Sequence, residues 1–162
     1  RSQGLRWGMR RIAMDPESRV AAEVKRLRGA SDRRLRDYDR ASAARRRAWY
    51  REQFADRPLP GDGPLAQAYR LLLDKLGIGE SEAPIVERGA ERLVFHSRNF
   101  CPTLEACRIL HLDTRRVCRL YNEGATQALL QQLDPRLRFR RNYEKLRPYA
   151  EYCEEVIELR AE

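Results

Sequence analysis

Residues 84–98, Pro84-Ile85-Val86-Glu87-Arg88-Gly89-Ala90-Glu91-Arg92-Leu93-Val94-Phe95-His96-Ser97-Arg98, change the period of the chain. Upstream, apolar residues recur every three or four positions; here two β-prone runs flank Gly89-Ala90, as in a β-hairpin. Beyond it, Pro102–Leu110 and Thr114–Leu133 return to helical spacing, with Asp113 as a cap and Gly124 as the weak point of the longer segment. Leu137-Arg138-Phe139-Arg140 then alternates as a strand does, and a polar connection leads to a closing strand over Tyr152–Leu159. Hairpin, helices and two further strands predict an α+β fold: a four-stranded antiparallel sheet with helices on one face.

Three helices are expected ahead of the hairpin. Asp15-Pro16-Glu17 places a capping carboxylate before a proline at the first helical position, and that helix closes near Gly29. Ser31-Asp32 opens a longer one to Phe54, with Leu35, Tyr38, Ala41, Ala44, Ala48 and Trp49 as an apolar stripe between rows of arginine. Pro64–Leu76 is the third, stopped by Gly77. The proline- and glycine-rich Arg57–Pro64 reads as a linker. It divides a basic helical appendage, residues 1–60, from a cysteine-containing domain, residues 61–162.

Charge follows the same division. Of 33 Lys and Arg, 17 fall in residues 1–60 with 8 of the 24 acids, so the whole net charge of +9 lies there. Arginines with interleaved aromatics (Tyr38, Trp49, Tyr50 and Phe54) suit phosphate contact and stacking. No helix-turn-helix, zinc-finger or RNA-binding signature accompanies them, which disfavours nucleic acid. Docking on a protein partner or a second copy of the chain, as a homo-oligomer, is the expectation for these helices. No apolar run approaches a membrane span and the first residues lack a signal-peptide core, so membrane insertion and export are disfavoured and a cytoplasmic location is expected. A phosphate-cradling glycine loop, a nucleophile elbow and an HExxH motif are absent.

Cys101, Cys107, Cys118 and Cys153 all lie in the last 62 residues, with His96 and His111 near them. No CxxC pair occurs, so the spacing is neither a zinc ribbon nor a common ferredoxin. Three readings stand: buried thiols acting as small apolar groups, a zinc or iron–sulfur site using all four cysteines, or a reactive cysteine. Cys107 and His111, four apart, would share a helical face. Cys101 precedes Pro102 and would cap a helix, where the dipole lowers a thiol pKa. Its neighbour His96 is then the candidate base, and Arg98 or Arg140 a carboxylate anchor.

The segment from Phe95 to Leu159 resembles the L-2-amino-thiazoline-4-carboxylic acid hydrolase-like family. The shared features are Cys101-Pro102 opening a helix, Glu105 within it, Cys118, the strand Arg138-Phe139-Arg140-Arg141-Asn142, and Cys153-Glu154 in the closing strand. The resemblance implies a pocket between sheet and helices, and hydrolysis of a C=N or amide-like bond on a small carboxylate through a cysteine-centred site. The chain departs from the family at Tyr143–Pro148, which replaces a Thr-Leu and glycine turn, and at Glu155, which follows Cys153-Glu154 where the family has Cys-Asp-Phe. The other expectation is a non-catalytic binding protein acting through the basic helices.

Overall fold

The computed structural model describes residues 14–161, so residues 1–13, on which the export reading rests, lie outside it. Local capping sets the helix starts where the sequence places them. Asp15 accepts from Ser18 N at 2.9 Å to begin α1 (Pro16–Leu27), and Ser31 accepts from Arg34 N at 3.1 Å to begin α2 (Asp32–Phe54). Gly77, with φ of 68°, closes α3 (Pro64–Leu76), a left-handed turn that costs a residue with a Cβ. After a short 3-10 turn come β1 (Ile85–Arg88) and β2 (Arg92–Ser97), then α4 (Pro102–Leu110). The remaining elements are α5 (Thr114–Tyr121), α6 (Glu123–Leu133), β3 (Leu137–Arg141) and β4 (Cys153–Leu159).

The strands form one antiparallel sheet in the order β1-β2-β4-β3, with Phe95 opposite Glu155 and Arg141 also opposite Glu155 on the other side of β4. Alternation sorts the side chains. Leu93, Phe95, Leu137, Phe139 and Ile157 face α3 and α6 and make one core with Leu71, Leu72, Leu73, Leu129 and Leu130. The opposite face carries Val94, Val156, His96, Glu154 and Arg140. The α+β fold with an N-terminal helical region and a four-stranded antiparallel sheet is thus observed.

Three local expectations differ from the structure. The segment 114–133 is two helices, not one, jointed at Asn122, whose φ of −138° lies outside the helical range. Asp39, reaching from α2, accepts from Ala125 N at 2.9 Å and so caps α6 from outside. A Cβ at Gly124 would collide with that carboxylate, which explains the glycine. His111 leaves the helix altogether: it is the left-handed cap of α4, with φ of 56°, and is exposed, so it shares no helical face with Cys107. In α2, Ala41, Ala44 and Ala48 are exposed, and the inward side carries Leu35, Tyr38, Asp39, Ser42, Ala43, Arg46 and Trp49.

The basic helices are packed into the fold. Leu27 of α1 and Leu35 of α2 are each 1% exposed and share a second core with Ala106, Cys107 and Val117 from α4 and α5. Burying each leucine contributes about 1.5–3 kcal/mol. Tyr38 packs edge-on against Tyr121 with ring centroids 6.0 Å apart, and Arg116 of α5 bonds Asp32 Oδ1 and the Ala30 carbonyl. Even the proline-rich segment is anchored, since Leu59 is buried in the sheet-side core. Among the described residues no helix is long and apolar enough to cross a membrane.

Candidate functional site

Cys101 caps α4 as its sequence implies, its Sγ accepting from Leu104 N at 3.4 Å. The cap does not win, however. Burial raises the Cys101 thiol pKa, and the Leu104 N–H and the nearby Arg147 guanidinium oppose it without reversing the shift. That shift favours the neutral thiol, although Cys101 is only partly buried and lines a cleft. His96 cannot serve Cys101 as a base, because it lies on the far face of the sheet. There its Nε2 lies 3.1 Å from Glu154 Oε1, and its ring stacks on Tyr152 at 3.8 Å.

The two proposed anchors are also elsewhere. Arg98 lies over the outer side of Tyr152 and, at 3.9 Å, near Glu151. Arg140 is paired with Glu158 at 2.9 Å on the outer face. Both are about half exposed.

The four cysteines lie near one another, since Cys101, Cys153 and Cys107 each influence the titration of Cys118. Among the described residues, no three His, Cys, Asp or Glu side chains are grouped to hold a metal ion. Cys107 is a core residue beside Ala106 and Val117, and burial pushes its pKa up to about 12. Burial likewise raises Cys118 to about 12. Cys153 accepts from Arg147 Nε at 3.3 Å, and the same guanidinium donates to the Asn99 carbonyl at 2.7 Å, tying the end of β4 to the turn before α4. All four are free thiols. Thiolate ligands must lose their protons and converge on an ion, and burial favours the protonated forms of Cys107 and Cys118.

A cleft of about 690 Å³ opens where the basic helices meet the α+β core. One wall is cationic: Arg19 and Arg26 from α1, Arg45 and Arg46 from α2. The other includes Asn99, Cys101 and Thr103 at the start of α4, with Tyr121 and Asn122 at the end of α5. Glu23 bridges the two, accepting from Arg26 at 2.7 Å, Thr103 Oγ1 at 3.0 Å and Tyr121 OH at 2.8 Å. Burial raises the Tyr121 phenol pKa, so it remains a donor at neutral pH.

Behind that cleft, on the inner face of the sheet, sits a network of charged residues that the sequence reading missed. Arg141 donates through Nε to Glu155 at 3.0 Å and through Nη2 to Asn122 at 2.5 Å. Glu155 also accepts from Ser97 Oγ at 2.7 Å. Arg46 donates to Thr126 Oγ1 at 2.9 Å. The available signal was phase: Arg141 follows Leu137 and Phe139 at two-residue steps, and Arg46 stands seven after Asp39 on the inward stripe of α2. Compared with protein-family models, curated proteins and solved structures, the chain matches none.

Proposed function

We propose that this chain is a small-molecule-binding α+β domain whose ligand occupies the cleft between the basic helices and the start of α4. The observation that carries this reading is the construction of the cleft. Its 690 Å³ falls within the size range of ligand pockets, and its walls come from both the N-terminal helices and the sheet-bearing part of the chain. The polar groups at its walls (Asn99, Tyr121, Asn122 and Thr103) can orient a ligand, and the arginines favour one carrying negative charge. The packing of α1 and α2 on the domain gives the excess positive charge a role within the fold. The raised thiol pKa of Cys101 favours binding over nucleophilic attack at this wall.

The test uses the full chain and a small panel: 2-aminothiazoline-4-carboxylate, chosen for the resemblance of residues 95–159, with cyclic and open-chain carboxylates of similar size. Binding is followed by calorimetry and thermal shift. Ala41, exposed on the cleft wall, is replaced by Trp to fill the space without touching either core. A panel member should bind saturably to the native chain and weakly or not at all to Ala41→Trp, whose unfolding temperature stays close to native. Equal binding to both proteins, or no binding by any member, would sink the reading. Chromatography of the same mixtures reports whether the thiazoline ring is opened.

A further inference from the structure

We propose that Arg46, Lys75 and Arg141 form an oxyanion subsite at the inner end of the cleft, taking the carboxylate or phosphate group of the ligand. This rests on the cleft being the ligand site, and it adds the chemical class of the group held there. A cavity of about 50 Å³ adjoins the cleft, shares Arg46, Leu76 and Asn122 with it, and is walled further by Lys75, Thr126, Arg141 and Glu155. At that size it admits a compact head group, with the remainder of a ligand in the larger space.

The donors around this cavity outnumber their acceptors. Arg141 is 10% exposed at its side chain and spends Nε on Glu155 and Nη2 on Asn122, but its Nη1 is buried with no acceptor. A buried donor without a partner is unfavourable, and an oxyanion oxygen is the acceptor such a guanidinium takes best. Arg46 has only the neutral Thr126 hydroxyl as a hydrogen-bond partner, and Lys75 only the Trp49 ring at 5.3 Å. Among the described residues, neither reaches a carboxylate within ion-pair distance.

The nearest counter-charges are already engaged. Glu155 is held by Arg141 and Ser97, and Asp39 by the Ala125 amide. Three cations therefore face two committed carboxylates, of which Glu155 lines the cavity and limits how closely an anion approaches that side, while a third, Glu123, is held by the Arg141 backbone N–H. The titration behaviour agrees with surplus positive charge. Burial, then Arg141, pulls the Arg46 pKa down to about 10, and burial, then Arg46, lowers that of Lys75. Arg46 remains protonated at neutral pH.

The experiment is equilibrium binding and thermal unfolding of the full chain in phosphate, sulfate and acetate, each against chloride at matched ionic strength. Saturable stabilisation by phosphate or by acetate beyond chloride is expected, and the comparison of the two shows which head group is preferred. Lys75→Met, which lies outside the cleft wall, and Arg46→Gln should each raise the dissociation constant by about tenfold or more, the worth of one charge-assisted hydrogen bond. Arg47→Gln, an exposed neighbour on the same helix that lines neither cavity, should leave it unchanged. No oxyanion effect beyond chloride in the native chain, or equal losses in Arg47→Gln and Arg46→Gln, would overturn the subsite. If oxyanions fail while a panel molecule still binds and is blocked by Ala41→Trp, the subsite falls and the cleft reading stands. If oxyanions bind with the expected variant pattern while Ala41→Trp changes nothing, the cleft reading falls instead.

Discussion

Glu155→Gln removes one charge from an enclosed pair while keeping the side chain's shape. Glu155 is 8% exposed and the Arg141 side chain 10%, so water cannot replace the lost carboxylate. The carboxylate accepts at 3.0 Å from Arg141 Nε and at 2.7 Å from Ser97 Oγ. In the variant, the amide oxygen can still accept from Arg141 Nε while its NH2 group donates to Ser97 Oγ, so the hydrogen bonds survive and the charge is what is lost. An exposed ion pair would cost about 0.2–1 kcal/mol to break. Removing one partner of a buried pair costs about 3–5 kcal/mol, because the other charge stays behind uncompensated. Asp39, close enough for Arg141 to influence its titration, softens the loss and places the expectation near 3 kcal/mol. For a chain of this length that is a fall in Tm of roughly 6–12 °C. Urea and thermal unfolding followed by circular dichroism at pH 7 measure it, alongside Arg141→Met and the double variant. The double variant should recover much of the loss, since an apolar replacement of the whole pair is often close to neutral. A single-variant loss below about 1 kcal/mol, or losses that simply add, would show that the pair is not buried as described.

The packed N-terminal helices make two tests. Leu35→Ala should cost about 2–5 kcal/mol in chemical denaturation, since Leu35 is 1% exposed between α1, α4 and α5. Deleting residues 1–57 should leave a chain that aggregates or unfolds without a cooperative transition, whereas a well-folded monomeric remainder would contradict the shared core. With pKa values near 12, Cys107 and Cys118 should react with iodoacetamide at pH 7.5 about 3,000-fold more slowly than a free thiol, judged by peptide mass spectrometry. Rapid labelling of either in the folded chain would refute that. Hydrogen bonds from Asn142 first, then His96, hold the Glu154 carboxyl below its ordinary range. Its folded pKa being the lower one, its stabilisation is complete above the unfolded value of about 4.3 and is lost as pH falls through the folded value. Glu154→Gln should therefore flatten the acid limb of the stability profile, and an unchanged limb would assign acid sensitivity elsewhere.

Element types and starts were legible in the sequence because they are set locally. Asp15-Pro16, Ser31-Asp32, Cys101-Pro102 and Asp113 each satisfy free N–H groups within three residues, and Gly77 supplies a left-handed stop that needs no distant partner. Period-two alternation likewise announced the hairpin and β3. The candidate site was not legible, because it depends on which residues long-range packing brings together. Arg140 and Arg141 are neighbours in sequence, and the pleat sends one to Glu158 outside and the other to Glu155 inside. Asn122 breaks a continuous helical pattern at a place where Asp39, 83 positions earlier, caps the next helix. Cysteines that look dense in sequence occupy a helix cap, a core and a strand end, yet lie near enough for Cys101, Cys107 and Cys153 each to influence the titration of Cys118. The basic helices look like a separate appendage by charge, but the apolar side of α2 packs against α5, α6 and the sheet-side core, and that packing builds the cleft. Local stereochemistry determined the pieces; burial, which is decided only when distant segments meet, determined where the charges ended up.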